Sequence, residues 1–325
     1  MIITRTPFRI SFAGGGTDLA AFYRREAGAV VSTAIKKYMY ITVNRRFDST
    51  IRVSYSRTEI VGSVDEIQHP IVREALKLTG IEGGIEIVSI ADIPAGTGLG
   101  SSSSFTVGLL NALYAYKGEL KSAAELAEQA CRIEIDIVGE PIGKQDQYIA
   151  SHGGLCHIQF NPDESVFVSP IICGKKCRER LEENLLLLYT GESRRANTIL
   201  AEQSANTRLE DKFQSLQKMR DLAGDTKHCF TSGLEPKELG ALLHQGWLLK
   251  KELAGGISTS AIDACYGKAL AAGAYGGKVS GAGGGGFLLL VVPPEKRQAV
   301  RQALSDLQEM DFAFEAEGSK IIYVI

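Results

Sequence analysis

A segment rich in glycine and serine, Pro94-Ala-Gly-Thr-Gly-Leu-Gly-Ser-Ser-Ser-Ser104, has the composition of an anion-binding loop. Three glycines at alternate positions allow the backbone to curl and to approach a ligand closely. The four serines begin a predicted helix, and the first amides of a helix have no internal hydrogen-bond partner. Such amides bind phosphate, while the hydroxyls can cap the helix, bind phosphate oxygens or coordinate Mg²⁺. The alternative is a tight strand-to-helix turn with surplus capping groups.

A second glycine run, Lys278-Val-Ser-Gly-Ala-Gly-Gly-Gly-Gly286, contains the spacing Gly-x-Gly-x-x-Gly. A dinucleotide-binding fingerprint must follow a strand and begin a helix. Here the run leads into Phe287-Leu-Leu-Leu-Val-Val292, which reads as a buried strand, so a Rossmann site is not predicted. A P-loop is excluded as well, because no Gly-Lys pair is followed by serine or threonine. The run is either a hinge with close backbone packing or a second backbone wall against a ligand.

Three carboxylates lie near glycine turns. The segment from Arg9 to Asp18 places a cation near a strand end, then a glycine turn, then Asp18 at a helix start. Asp18 is either a helix cap or a ligand for the hydroxyls of a polyol. Glu134 and Asp146 flank Gly139-Glu-Pro-Ile-Gly143, which must break the helix. They can face one cavity, one for a metal and one for a proton; the alternative is a solvated Glu134 and a helix-capping Asp146.

The elements that position these residues follow from periodicity and turn chemistry. In the N-terminal half the predicted strands are Ile2 to Phe12 (a pair interrupted at Pro7), Val30 to Ile35, Tyr38 to Arg45, Ile51 to Tyr55, Ile85 to Ile90, Leu155 to Phe160 and Val166 to Ser169. Helices are predicted after Pro70, over Ser102 to Tyr116, and from a capping box at Ser122 and Glu125 to Val138. A domain boundary near residue 170 divides the chain into 1–170 and 171–325.

The C-terminal half mixes strands and helices and predicts an α+β layer packed on one sheet. The predicted elements are a strand from Leu185 to Tyr189, a long helix after Ser193, helices after Pro236, Thr259 and Pro294, and strands from Phe287 to Val292 and from Lys320 to Ile325. The polar stretch 201–225 is interpreted as the solvated face of the long helix.

Composition excludes several classes of partner. The 325 residues are 44% hydrophobic and 23% charged, with a net charge of −2, so no broad electrostatic field attracts nucleic acid or an anionic membrane.

No signal peptide or membrane-spanning run is recognisable, and the expected location is cytoplasmic. Among six cysteines only Cys173 and Cys177 are close, which does not fit a zinc site, and disulfides are not expected in this setting. The oligomeric state is not predicted.

Together, these segments resemble the GHMP kinases, the superfamily of galactokinase, homoserine kinase, mevalonate kinase and phosphomevalonate kinase. The resemblance covers essentially the whole chain. It rests, in order and spacing, on Pro7-x-Arg9 with its glycine loop, the Pro94–Ser104 loop, Gly143-Lys-Gln-Asp-Gln147 and Lys278–Gly286. It implies an α+β, two-domain GHMP kinase fold with an N-terminal ribosomal-protein-like α/β domain and a C-terminal ferredoxin-like α/β domain. The active site is then expected between them.

The resemblance also implies roles for individual residues. Asp146 matches the aspartate that accepts or orients the acceptor proton, and Arg9 matches the arginine that holds this aspartate in its charged form. Ser102 and Glu134 match the ligands of Mg²⁺. ATP is expected to bind along the first loop, at Pro94, Gly96, Gly98, Leu99, Gly100, Ser101, Ser102, Ser103 and Ser104. The sugar is expected to contact Gly14, Gly15, Gly16, Thr17, Asp18, Arg194, Gly281 and Gly283.

Four stretches are similar to the subfamily of sugar-1-kinases that acts on D-glycero-D-manno-heptose 7-phosphate, and more loosely to fucokinase-type enzymes. They are Thr6 to Asp18, Gly98 to Gly108, Thr190 to Arg194 and Gly281 to Phe287. The predicted reaction is transfer of a phosphoryl group from ATP to an anomeric hydroxyl. For a second substrate phosphate the candidate cations are Lys36, Lys37, Arg194 and Lys278, of which Arg194 is preferred. The alternatives are a fucokinase-like or other hexose kinase, and a non-catalytic sugar or nucleotide sensor.

Overall fold

The computed structural model describes residues 1–191 and 196–325. Its strands are β1 (Ile2–Ala13), β2 (Gly28–Arg45), β3 (Ile51–Ser54), β4 (Thr58–Val61), β5 (Ile85–Ala91), β6 (Leu155–Phe160), β7 (Val166–Pro170), β8 (Leu185–Tyr189), β9 (Gly276–Val279), β10 (Phe287–Val291), β11 (Gln308–Glu309) and β12 (Lys320–Val324).

Its α-helices are α1 (Ala20–Tyr23), α2 (Pro70–Thr79), α3 (Ser101–Tyr116), α4 (Ala123–Cys131), α5 (Gln145–His152), α6 (Lys175–Asn184), α7 (Ala196–Asn206), α8 (Glu210–Thr231), α9 (Pro236–Lys251), α10 (Ser260–Ala271) and α11 (Arg297–Ala303). Short 3₁₀ turns cover Val64–Glu66 and Pro294–Lys296, and a π-helical segment covers Arg132–Ile137.

The first sheet has eight strands. Six follow the order β12-β1-β2-β5-β3-β4, and β6 pairs with both β2 and β7. All of these pairs are antiparallel except β3 with β5. Helix α3 packs on this sheet, and its residues from Ser103 to Tyr114 are buried. The closing strand β12 therefore returns to the sheet that begins the chain.

The second sheet has four antiparallel strands in the order β11-β8-β10-β9. Strand β10 is central and completely buried, as its continuous apolar sequence predicts. Helix α9 presents Leu239, Leu243 and Trp247 to the interior, at the spacing of one helical face. Leu239 and Leu243 join the apolar core of the first sheet, whereas Trp247 belongs to a second apolar cluster.

Most predicted elements are present, and the differences have local causes. Strand β1 runs through Pro7 without interruption, because a shift of register between Pro7 and Phe8 absorbs the missing donor. The two strands predicted on either side of residues 36 and 37 are one long strand, β2. The long helix predicted after Ser193 is two helices, α7 and α8, separated at 207–209. The predicted capping box at Ser122 and Glu125 is confirmed. The helix predicted after Thr259 is α10, which the Thr259 side chain caps.

Two further observations concern the cysteines and the membrane. Contrary to the expectation of free thiols, Cys173 and Cys177 are joined by a disulfide; their Cα atoms are 5.7 Å apart at the start of α6. Cys177 lies in the first turn of α6 and Cys173 lies just before the helix, so the bond links the helix to the segment that precedes it. Over 1–191 and 196–325, no helix combines the length and the apolarity that a bilayer span requires.

Candidate functional site

A cavity of about 1170 Å³ is lined by residues of both halves of the chain, including the segments that the sequence analysis singled out. The glycine and serine loop, the loop before Asp18 and the second glycine run all contribute to its wall. The predicted site residues that line it are Arg9, Gly15, Gly16, Asp18, Pro94, Gly96, Gly98, Gly100, Ser101, Ser102, Ser103, Asp146, Gly281 and Gly283. Segments far apart in sequence therefore share one ligand-sized space.

Arg9 and Asp146 form a bidentate ion pair at the centre of this wall. Nε and Nη2 of Arg9 each donate to one carboxylate oxygen of Asp146 at 2.7 Å, and Nη1 donates to the carbonyl of Gly98 at 2.5 Å. The Arg9 side chain is 5% exposed and that of Asp146 is 22% exposed, so the carboxylate faces the cavity. A planar guanidinium that binds both oxygens fixes the orientation of the carboxylate. Asp146 is therefore held against the glycine loop and is not the helix cap considered as its alternative.

The two glycine runs pack backbone against backbone. A side chain on Gly98 would place its Cβ 2.5 Å from the carbonyl oxygen of Ser280, and one on Gly281 would place it 2.6 Å from the Cα of Gly98. A Cβ on Gly286 would likewise overlap the carbonyl of Thr97. No residue other than glycine fits such close approaches. The second run is thus both a close packing partner of the first loop and, through Gly281 and Gly283, part of the cavity wall.

Glu134 is held behind the serines of α3 by two neutral donors. Ser102 donates to Oε1 at 2.6 Å and Gln147 donates through Nε2 to Oε2 at 2.8 Å. Glu134 lies in the π-helical segment Arg132–Ile137, a rare geometry that redirects one side chain from a helix and recurs at functional sites. It is fully buried, and this burial raises its pKa to about 7.

A carboxylate and a hydroxyl in contact are oxygen ligands of the kind that Mg²⁺ prefers. Glu134 is a buried acid, and in the described residues its bonding partners are neutral, so a cation beside Ser102 would offset the cost of ionising it. The residues present therefore fit the predicted metal ion.

Asp18 does not cap the helix that follows it. Helix α1 begins at Ala20 with Leu19 at the capping position and has no side-chain cap. Instead, the Asp18 carboxylate accepts from the amide of Gly16 at 2.8 Å and from the amide of Gln145 at 3.3 Å, at the start of α5. Burial is the main cause of its raised pKa, with a smaller contribution from the charge of Asp146. Asp18 thus connects the N-terminal glycine loop to the helix that carries Asp146.

Some predicted residues do not line the cavity. Thr17 donates to the carbonyls of Gly14 and Ala29, and a Cβ on Gly14 would overlap the carbonyl of Ala29. Ser104 donates to the carbonyl of Pro7 at 2.8 Å, and Leu99 is buried. Gly14, Thr17, Leu99 and Ser104 therefore hold the loops that carry the cavity-lining residues. Glu134 was expected to face the cavity with Asp146, but it is fully buried behind Ser102 and does not line the cavity. Arg194 lies outside the described residues.

Several residues of the cavity wall were not singled out in the sequence. They are Ser11, Gln145, Asn197, Gln203, Lys250 and Ser280. Lys250 carried a detectable signal, because it follows Leu239, Leu243 and Trp247 on the apolar face of α9, where a charge is costly. Serine and glutamine carry no comparable signal, since they are common on any surface.

The cavity wall contains an apolar group as well as a polar one. Met39, Ile71 and Ile93 line it together with a ring cluster, in which His69 lies 4.8 Å from Tyr55 and 5.0 Å from Phe105 between ring centroids. These residues belong to the N-terminal half, whereas Gln203, Lys250 and Lys278 come from the C-terminal half. An apolar, ring-lined wall and a polar wall on one cavity suit a ligand pair with an aromatic base and a polyol.

The sequence and its relatives place the chain among known kinases. Residues 67–154 match the GHMP kinases N terminal domain, and residues 233–309 match the GHMP kinases C terminal family. The D-glycero-alpha-D-manno-heptose 7-phosphate kinase of Campylobacter jejuni is 31% identical over 98% of this chain and 98% of its own length. The bifunctional fucokinase/GDP-fucose pyrophosphorylase of Arabidopsis thaliana is 26% identical over 94% of this chain and 31% of its own length.

Solved structures have the same architecture. The D-glycero-D-manno-heptose 1-phosphate kinase of Bacteroides thetaiotaomicron superposes with a TM-score of 0.82 at 24% identity, covering 100% of both chains. The galactokinase of Lactococcus lactis, complexed with galactose, superposes with a TM-score of 0.78 at 19% identity, covering 98% of this chain and 94% of that one. At these identities the likeness shows a shared fold.

Proposed function

The chain belongs to the GHMP kinase family and is an ATP-dependent sugar kinase, and from this premise we propose that its acceptor is the anomeric hydroxyl of D-glycero-D-manno-heptose 7-phosphate. The observation that carries the proposal is the Arg9–Asp146 pair, which is bonded to the glycine loop through Gly98 inside the shared cavity. The heptose 7-phosphate relative, at 31% identity over 98% of both chains, supports this acceptor.

ATP is proposed to bind with its phosphates on the amides of residues 96–104, at the N-terminus of α3. Both the exposed amides and the helix dipole favour negative charge at this position. The adenine is proposed to lie beside Tyr55, His69 and Phe105, where the His69 ring stacks on Phe105 and meets Tyr55 edge-on. The sugar then lies on the other side of the loop, near Gly15, Gly16 and Asp18.

Asp146 is proposed to accept the proton of the attacking hydroxyl. As the acceptor oxygen forms a bond to the γ-phosphorus, the bond from that phosphorus to the oxygen bridging the β- and γ-phosphates breaks, and ADP leaves. Each carboxylate oxygen of Asp146 uses one lone pair on Arg9 and keeps a second for the substrate. Arg9 orients the carboxylate, and its charge also stabilises the transferring phosphoryl group. Positioning is expected to supply most of the acceleration.

Ser102 and Glu134 are proposed to hold the Mg²⁺ ion that accompanies ATP. When bound, the metal neutralises charge on the triphosphate. The protein's contribution is to keep the Ser102 hydroxyl and the Glu134 carboxylate in contact, at 2.6 Å, before the metal arrives.

We also propose that the chain divides into an N-terminal domain at 1–170 and a C-terminal domain at 171–325. The last strand, β12, then pairs with β1 in the sheet of the N-terminal domain.

A panel of acceptors tests the proposal by measuring ADP release. We expect kcat/KM for D-glycero-D-manno-heptose 7-phosphate to exceed that for L-fucose, galactose and mannose by at least about a hundredfold, since a charged group recognised in a buried site is worth several kcal/mol. Mass spectrometry and ³¹P NMR of the product identify the phosphorylated position. Preference for L-fucose would favour the fucokinase-like alternative, and ATP binding without turnover of any sugar would favour the sensor.

The substitution Gly143→Ala tests the role of Asp18 in sugar binding. The added Cβ would overlap the Asp18 carboxylate and lie 3.0 Å from its carbonyl oxygen, so the side chain must move. We expect KM for the sugar to rise about tenfold or more, because a displacement near 1 Å can cost a hundredfold. KM for ATP should change less than about threefold.

Gly224→Ala is the matched control for this substitution. Gly224 lies within α8, and a Cβ added there meets no atom within 4 Å. The control should keep both KM values and gain roughly 0.5–1 kcal/mol of stability. A Gly143→Ala enzyme with an unchanged sugar KM would remove Asp18 from the sugar site.

A further inference from the structure

Two lysines are buried in the cavity wall beside the Arg9–Asp146 pair. Lys250 and Lys278 are each only 5% exposed, and both line the cavity. The ammonium of Lys278 donates to the carbonyl of Phe12 at 3.3 Å, and that of Lys250 donates to the carbonyl of Gly281. An ammonium group has three donors, so hydrogen-bonding capacity remains at both side chains.

Two serines near these lysines have hydroxyls without a partner in the described residues. Ser280 is two residues after Lys278, so the two side chains share the cavity-facing side of the strand end. Ser11 precedes Phe12, whose carbonyl accepts from Lys278. Ser11 and Ser280 are 3% and 1% exposed, and neither hydroxyl oxygen has a hydrogen-bond partner. Buried polar groups are nearly always paired, so this set indicates a missing polar ligand.

The charges around the lysines indicate an anionic ligand. No described carboxylate forms an ion pair with either ammonium, and the charges that influence Lys250 are those of Arg9, Asp18 and Asp146. Arg9 is already neutralised by Asp146, which leaves two lysines facing one carboxylate, Asp18. Burial lowers the pKa of Lys250 to about 8 and that of Lys278 as well, because desolvation is not offset by a counter-ion. A phosphate monoester would supply that counter-ion.

We infer that Lys250, Lys278, Ser11 and Ser280, which we call the lysine site, bind the phosphate that the sugar substrate already carries. The inference deepens the proposed function and rests on it. The bond from Lys278 to the carbonyl of Phe12 places the lysine site against the strand that leads into the glycine loop before Asp18, where the sugar is proposed to bind. Among the cations predicted from sequence, the lysine site contains Lys278, and Lys250 joins it; the Arg194 prediction falls outside the described residues.

Binding by the wild-type chain, without nucleotide, provides the first test. Isothermal titration compares D-glycero-D-manno-heptose 7-phosphate with D-glycero-D-manno-heptose. We expect the phosphorylated sugar to bind at least about tenfold more tightly, since hydrogen bonds to charged groups contribute the equivalent of one or two decades in Kd. Equal affinities would overturn the lysine site. This comparison does not depend on turnover, so it remains decisive even if no sugar is phosphorylated.

Lys278→Met and Lys250→Met test the two cations separately, because methionine keeps much of the apolar stem and removes the charge. Each should weaken binding of the 7-phosphate about tenfold or more, with Kd for the unphosphorylated heptose and for ATP within about threefold of wild type. A loss confined to ATP would assign the lysines to the nucleotide. An equal loss for both sugars would indicate a structural role, and either result overturns the inference.

Lys218→Met is the matched control, because Lys218 is exposed on α8 and does not line the cavity. It should leave all three affinities unchanged. If the buried substitutions prevent folding, as judged by thermal melting, the wild-type comparison decides alone. Turnover distinguishes failure of the lysine site from failure of the proposed reaction. Equal kcat/KM for both sugars would support the kinase activity and overturn the lysine site. Tight binding of the 7-phosphate without turnover would support the lysine site and overturn the proposed reaction.

Discussion

Asp146→Asn should lower kcat by about 10²–10⁴-fold, the contribution typical of a positioned general base. The amide keeps the shape of the carboxylate but presents an NH₂ group to one of the two Arg9 donors, which bind at 2.7 Å. It also cannot take up the proton of the acceptor hydroxyl. KM for ATP should change little, because the phosphate loop is untouched. Steady-state ADP release with saturating sugar is the measurement.

Asp136→Asn is the control for this substitution. Asp136 lies ten residues earlier, is exposed on the π-helical segment and does not line the cavity, so its replacement should leave kcat at the wild-type value. Thermal melting of both variants excludes a difference in folding. An Asp146→Asn enzyme with wild-type kcat on a competent sugar would show that positioning and charge alone perform the reaction, and the proposed base would be withdrawn.

Glu134→Gln should reduce the affinity for Mg²⁺ and, at fixed Mg²⁺, lower kcat by about 10²–10³-fold, as for loss of one charge-stabilising group. The introduced amide can still accept from Ser102. Gln147, whose Oε1 has no partner among the described residues, can rotate its amide to accept from the new NH₂. Titration of Mn²⁺ followed by its paramagnetic signal, with ATP present, measures metal affinity independently of turnover.

The stability of the metal-free protein gives this substitution a second readout. Burial raises the pKa of Glu134 from 4.5 to about 7, so ionising it costs the native state more than the unfolded state. The native state of the wild type therefore loses stability relative to Glu134→Gln as pH rises from about 4.5 to 7. We expect the variant to have the higher Tm at pH 8 and a smaller advantage at pH 4.5. A lower Tm at pH 8 together with unchanged Mn²⁺ affinity would contradict the metal-ligand assignment.

The family resemblance was accurate at the level of fold and reaction class. The two-domain GHMP kinase fold and the kinase activity predicted from Pro94–Ser104, Gly143–Gln147 and Lys278–Gly286 are confirmed by the matching families and relatives. These motifs are readable because each satisfies a local backbone requirement, such as free amides at a helix start or a close approach that excludes a side chain. The site residues themselves remain predictions, with the geometry described above as their support.

Short sequence patterns could not decide between alternative roles for a single residue. Asp18 was equally consistent with capping α1, and only the structure places its carboxylate on the amides of Gly16 and Gln145. The bond between Cys173 and Cys177 was not expected, since composition and context argued for free thiols. Lys250 was missed because its meaning depends on burial, and burial is a property of the packed helix α9.

The amino-acid sequence alone determined where the backbone must turn, where amides stay free and which faces are buried. These properties depend on glycines, serines and the spacing of apolar residues over a few positions. It therefore specified the loops, most helices and strands, and the class of ligand. The tertiary structure brings the distant groups together: Arg9 meets Asp146 and Ser102 meets Glu134, as the family resemblance implied, and two buried lysines, which no motif placed together, lie near Asp18. Contacts of this kind join residues 32 positions apart for Ser102 and Glu134 and 137 apart for Arg9 and Asp146, so no local pattern encodes them.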